Sequence, residues 1–132
     1  MTPGEDLVHL SHIAQNILEI EGYLQDVDSY ESFNTDENER AMIYDLLAQI
    51  GVATQLLSDD FKNQYDEIDF RVLESLRNAS YNEEMEIFRS PVWHIVKNDL
   101  PFIREKIMDV RTKLEEQMDI QGGNTLEGPT PR

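Results

Sequence analysis

The chain is predicted to be all-α, an up-and-down bundle of four to five helices in one domain. Three observations predict it. Apolar residues recur at steps of 3 and 4 over two long stretches and again near the C-terminus. Stretches rich in Asp, Ser, Asn or Pro punctuate those runs. No segment alternates apolar and polar residues as a half-buried strand would. The length of 132 residues and a 39% hydrophobic, 29% charged composition fit a single core. Residues 1–120 are assigned to the helical domain. Residues 121–132, QGGNTLEGPTPR, have the composition of a flexible tail.

The first helix is expected from Gly4 or Glu5 to about Asp26. Leu10, Ile13, Ile17, Ile20 and Leu24 share one face, and Glu5 and Asp6 occupy the first turn, where the helix dipole favours negative charge. Residues 28–34 read as a connector, anchored by Tyr30 and Phe33. A second long helix is expected over Asp36–Ser58. Thr35 or Asp36 can cap it, and Glu39 lies three residues beyond Asp36 as in a capping box. Its seam is Ile43, Leu46, Ile50, Ala53 and Leu57. Gly51 weakens this helix by about 1 kcal/mol against Ala, and a close approach of another helix accounts for it. Asp59 to Asp69 reads as a polar connection.

A third, shorter helix is expected over about Phe70–Tyr81. Phe70, Leu73 and Leu76 face the core, and Arg77 lies at the boundary of that face. Ser90-Pro91 suits a helix start, since Pro is tolerated in a first turn. Val92, Trp93, Ile95 and Val96 make this short helix strongly apolar. Asp99-Leu100-Pro101 is expected to end it and cap another. The last helix carries Ile103, Ile107, Val110, Leu114 and Met118, and is expected to stop near Ile120 at Gly122-Gly123.

Composition limits the function. No apolar run is long enough to span a membrane. The N-terminal residues do not have the pattern of a signal peptide. There are no cysteines, which excludes disulfides and thiolate chemistry. A cytoplasmic protein is expected. The net charge of −16 opposes polyanion binding. The charge is uneven, however: residues 70–113 hold eight basic residues against seven acids, and the remainder three against twenty. That segment reads either as an anion-tolerant face around Arg77 or as ordinary solvated helix surface.

The segment Leu73–Pro101, LESLRNASYNEEMEIFRSPVWHIVKNDLP, is the most specific. It has Arg77-Asn78, then Trp93, then Asn98-Asp99-Leu100-Pro101. This layout resembles the HepT-like toxins of the HEPN superfamily, whose pattern is Arg-Asn, three variable residues, His, one residue, Tyr, and later a Trp-containing turn and NDLP. Asn82 stands at the His position and Glu84 at the Tyr position. "QIGVA" at Gln49–Ala53 is similar to the family's "IIGEA", with Val52 replacing its Glu. The resemblance covers about residues 5–120.

The resemblance implies a homodimer in which Arg and His face each other and cut RNA without metal. It also implies a nucleotidyltransferase antitoxin partner that places AMP on the Tyr. A 2′-hydroxyl attacks its own phosphate, so protons must move and a cation must hold the developing charge. Arg77 suits the phosphate. Asn82 is an amide that does not titrate, so it can hydrogen-bond but cannot shuttle a proton. Asn78 is expected to orient Arg77 or to hold the end of its helix. Tyr81 is the nearest hydroxyl-bearing aromatic and a substitute acceptor for modification.

Each candidate has a plainer reading. Arg77 could pair with Glu74 or with acids across a dimer. Glu83, Glu84 and Glu86 would repel RNA. Tyr81 could simply pack. His94, twelve positions beyond Asn82, could replace the missing base or sit idle on the surface. His9 and His12 are three apart and could ligate a metal only if carboxylates converged. No metal and no cofactor are expected. Met42, Met85, Met108, Met118, Phe88, Trp93 and Phe102 read as core or dimer surface rather than a ligand pocket. Three functions fit these residues: a HepT-like toxin–antitoxin component with cleavage lost or impaired, an active ribonuclease relying on Arg77, or an acidic helical interaction module.

Overall fold

The computed structural model describes residues 3–78 and 89–126, with side chains placed over 4–78 and 91–117. Among the described residues every regular element is helical, as the periodicity predicts. α1 (Pro3–Tyr23) and α3 (Glu37–Leu56) are two of the three long helices among the described residues, and they pack on one another. α2 (Tyr30–Thr35) and α4 (Asp59–Gln64) are single short turns beside them. α5 (Phe70–Ser75) runs into a 3₁₀ turn, Leu76–Asn78, against α3. α6 (Arg89–His94) passes through a π-helical turn, Ile95–Asp99, into α7 (Leu100–Leu126), which packs on α1.

The seam residues of α1 are all buried, as are Ile43, Ile50, Ala53 and Leu57 around α3 and Ile103, Ile107, Val110 and Leu114 on α7. Burying this set on folding is the main stabilising contribution, since each full-sized apolar side chain contributes roughly 1.5–3 kcal/mol. No helix among the described residues is long and apolar enough to cross a membrane.

Four sequence expectations are corrected. The connector at 28–34 contains α2: Ser29 accepts a hydrogen bond from Ser32 N at 3.2 Å, and Phe33 is buried as the anchor. The polar connection at 59–69 contains α4, capped by Ser58 and carrying buried Phe61, with Tyr65 and Ile68 also in the core. The break at 99–101 does not occur. Pro101 has no N–H and its ring would clash with the carbonyl four residues back. The chain answers with one wide turn, in which Leu100 N–H donates to Ile95 O, five residues back. Buried Val96, Leu100 and Ile103 keep the helix on the core through that turn. The backbone also stays helical through Gly122-Gly123 to Leu126. Residues 127–132 of the expected tail lie outside the described residues.

Trp93 is buried, with its ring 5.3 Å from that of Phe33 and the Lys97 ammonium 5.4 Å over its face. Lys97 also donates to Val27 O at 3.3 Å. Arg104 forks onto Glu21, at 2.5 and 3.3 Å, and ties α7 to α1. The Trp-to-Pro segment is therefore a packing device. Met42, Phe102 and Met108 are exposed, whereas Met85, Phe88 and the Met118 side chain lie outside the described residues.

Asp6 does more than complement a dipole. It is buried and accepts hydrogen bonds from both the N–H and the hydroxyl of Ser58, each at 2.8 Å. Ser58 in turn accepts from Phe61 N at 3.2 Å, so one carboxylate holds the capping residue of α4. Hydrogen bonds to a charged group contribute about 1.5–3 kcal/mol each and share their cost when lost together. Asp6→Ala is expected to lower the unfolding free energy by about 2–3 kcal/mol in urea titrations, with Asp6→Asn intermediate. A change below about 0.5 kcal/mol would show the contact to be incidental.

Candidate active site around Arg77

The position of Arg77 follows from the local sequence. Asp69 caps α5 by accepting from Val72 N at 3.2 Å. Phe70, Leu73 and Leu76 are buried and pin the short helix to α3. The last turn then tightens into the 3₁₀ form, which carries Arg77 and Asn78 as exposed residues. This corrects the expectation of a helix continuing to Tyr81 as far as Asn78. Its remaining residues fall within 79–88, outside the described residues.

Gly51 is the seat of this turn. A Cβ on Gly51 would lie 2.5 Å from Arg77 Cα and 2.8 Å from Arg77 Cβ, with the Arg77 amide nitrogen nearer still. The backbones of α3 and the 3₁₀ turn thus meet with no room for a methyl group. A glycine in mid-helix, read from sequence as the mark of a close approach, is that contact. One turn on, buried Thr54 donates its hydroxyl to Ile50 O at 2.8 Å and so closes its own polar group.

The charge around Arg77 is arranged unlike the plainer sequence reading. Glu74 does not pair with it: Lys62 on α4 holds Glu74 at 2.8 Å. Among the described residues no carboxylate forms an ion pair with Arg77. Arg77 is an exposed residue. Its own α5 neighbour has been neutralised by a lysine twelve residues away in sequence, a pairing that no helical spacing signals. At the other end of α3 the carboxylates gather, and burial with Asp36 and Asp26 nearby raises the pKa of Glu39. An anion finds no welcome there.

The other predicted site residues divide. Asn78 adjoins Arg77 on the same turn. Tyr81, Asn82 and Glu84, with Glu83 and Glu86, lie outside the described residues. His94 is an exposed residue at the end of α6. His9 and His12 share the α1 side of a groove whose other wall is α3. No group of three His, Asp or Glu among the described residues could hold a metal ion. That groove has a volume of about 620 Å³ and includes Asp45, Gln49, Val52 and Leu56. Val52, at the position where the resemblance expects Glu, is 49% exposed. It follows Gly51 directly, so the groove begins one residue from the seat of Arg77.

The comparisons agree with this scaffold. The family described as "Ribonuclease HepT-like" matches residues 13–110. A "Gamma-glutamylcyclotransferase and putative RNase" of Methanocaldococcus jannaschii is 25% identical over 109 residues, covering 83% of this chain and 49% of that protein. The chain thus spans about half the length of that relative. A "Putative RNase" of the same organism is 24% identical, over 74% of this chain and 89% of its own length. A "Probable ribonuclease HepT" of Thermococcus cleftensis is 26% identical, over 78% and 93%. No solved structure matches the chain. Most of the helical core, the Gly51 seat and the exposed Arg77 fall within residues 13–110, and the chain belongs to the HepT-like ribonuclease family.

Proposed function

We propose that the protein is the homodimeric, cytoplasmic HepT-like component of a toxin–antitoxin-type module. In this reading it retains the phosphate-binding cation of an RNA-cleaving site and has lost most of the metal-independent cleavage. The observation that carries the proposal is Arg77: an exposed guanidinium, seated on Gly51, whose neighbour Glu74 is engaged by Lys62. Arginine stays charged and offers planar paired donors, which suits a phosphate and the charge that develops on it during transfer. Asn78 sits beside it as a positioning residue.

The missing half of the chemistry is proton transfer. Cleavage by the neighbouring 2′-hydroxyl needs a base to take that proton and an acid to protonate the leaving oxygen. Histidine does both near neutral pH. Asn82 supplies neither, and loss of a general base or acid lowers the rate by about 10²–10⁴-fold. Glu84 has no phenol, so the stable phenolic ester of AMP cannot form at that position; Tyr81 is the substitute acceptor. A nucleotidyltransferase partner would then bind the scaffold without modifying residue 84.

The test uses a short labelled single-stranded RNA with chelator present. The wild-type protein is expected to bind it weakly, with affinity falling as salt rises, and to cleave it no faster than Arg77→Ala does. Arg77→Ala is expected to weaken binding by about 5–10-fold, the loss of one charge-assisted phosphate contact. Robust wild-type turnover that vanishes with Arg77→Ala would overturn the lost activity. Binding indifferent to Arg77→Ala would overturn its role at phosphate.

A further inference from the structure

We infer that Lys62 on α4 is a positioning residue for the Arg77 site: it restrains Glu74, an internal carboxylate that competes with phosphate for the guanidinium. The inference rests on the reading of Arg77 as a phosphate-binding cation, and it names how that cation is kept available. Its starting point is a spacing. Glu74 precedes Arg77 by three residues. Side chains three apart on a helix are neighbours, and an acid N-terminal to its cation is the favourable order. After Ser75 the chain tightens into a 3₁₀ turn, which rotates residues three apart further into line. Left to its own helix, Glu74 would pair with Arg77.

α4 prevents that pairing. Lys62 Nζ donates to Glu74 Oε1 at 2.8 Å, and the Lys62 side chain is only 18% exposed. Both partners sit on backbone fixed by the core. Phe61, the residue before Lys62, is buried, and its ring lies 6.2 Å from that of Phe70 at the start of α5. Ser58 caps α4 and is itself held by Asp6. The other carboxylate near Lys62, Asp59, is 4.0 Å away and 95% exposed, so it competes weakly for the ammonium.

The surroundings decide where Glu74 goes without Lys62. The cleft between α4 and α5 has a volume of about 820 Å³. Its carboxylates are Asp59, Asp66, Glu67, Asp69 and Glu74, and its cations are Lys62 and Arg71. Removing Lys62 leaves five carboxylates with one cation among them, and their repulsion drives Glu74 outward. Two cations lie within its reach on its own helix, Arg71 three residues before it and Arg77 three after. The order of charges favours Arg77. A carboxylate and a phosphate use the same guanidinium fork, so a paired Arg77 must release Glu74 before it takes RNA.

The experiment follows the Arg77 Nε–Hε signal by NMR in the full chain carrying isotope-labelled arginine, assigned by its loss in Arg77→Lys. Binding of a short single-stranded RNA is measured beside it, in chelator at about 0.15 M salt, where distant charges are screened. Lys62→Met is expected to move the Arg77 signal downfield, as a hydrogen bond to Glu74 forms, and to weaken RNA binding by about 2–5-fold, the strength of one exposed ion pair. Adding Glu74→Gln should return both readouts to wild type, and Lys62→Arg should leave both unchanged. Lys62→Gln repeats the test with a polar side chain should methionine disturb the cleft. In the Arg77→Ala background Lys62→Met should no longer affect binding. An Arg77 signal unmoved by either Lys62→Met or Lys62→Gln would overturn the restraint, whether or not the protein binds RNA. A loss of binding that persists without Arg77 would be a general effect of lost charge and would also overturn it. A signal that moves and returns as expected, in a protein whose RNA binding ignores Arg77, would uphold the restraint on Glu74 and overturn the phosphate reading beneath it.

Discussion

Gly51→Ala is expected to destabilise the protein by about 2 kcal/mol or more and to displace Arg77. Two effects oppose each other. In an open helix the change would stabilise by about 1 kcal/mol, because alanine is the better helix former. Here the added carbon would sit 2.5 Å from Arg77 Cα and 2.8 Å from Arg77 Cβ. Two of the three nearest atoms are backbone, so no side-chain rotation relieves the clash. The 3₁₀ turn and α5 must move off α3, and buried Leu73 and Leu76 move with them. Overpacking typically costs about 1–3 kcal/mol and occasionally more, and the backbone contact places this case at the upper end. Urea or thermal unfolding followed by circular dichroism measures the outcome. A net gain near 1 kcal/mol would mean that the two backbones are not in contact.

The second large effect is a gain of function. Asn82→His with Glu84→Tyr is expected to raise metal-free RNA cleavage by about 10²-fold or more over wild type. The resemblance read from the sequence expects an imidazole and a phenol at these positions, five and seven residues beyond Arg77. The first substitution supplies a group that titrates near neutrality. The second also removes one negative charge from a strongly acidic chain, which lowers the repulsion that an RNA phosphate meets. The restored rate should rise with pH through the imidazole range where the neutral base is required, and fall again where the protonated acid is required. An inert double variant would show that more than two side chains separate this chain from an active site.

Much of this architecture can be read from spacing alone. The α1 seam and most of the α3 seam repeat at the helical period, so their burial follows from pattern. Gly51 was readable for a different reason: a residue that weakens a helix must be offset by something, and close packing is the commonest offset. Asp36 capped α3 as its spacing with Glu39 predicts, with Glu39 N donating to it at 3.0 Å.

What the sequence did not disclose depends on tertiary contacts. α2 and α4 are too short to be stable alone. They form because Phe33 and Phe61 are pulled into the core and because Ser29 and Ser58 cap them. Asp99-Leu100-Pro101 has the local signature of a helix start. The continuous burial of Val96, Leu100 and Ile103 outweighed it, and the proline was absorbed by a π turn. The release of Arg77 from Glu74 depended on Lys62, on a different helix. The buried role of Asp6 depended on Ser58, fifty-two positions away. Of the site residues, Arg77 and Asn78 came to one exposed turn, while Tyr81, Asn82 and Glu84 lie outside the described residues.

Cleavage of a single-stranded RNA in chelator, by the Asn82→His, Glu84→Tyr protein with and without Arg77→Ala, weighs the account as a whole. If Arg77 is a phosphate-binding cation awaiting a proton shuttle, the double variant cuts RNA, and removing Arg77 lowers that rate by about 10²-fold or more at unchanged helicity. Equal rates with and without the guanidinium would contradict it.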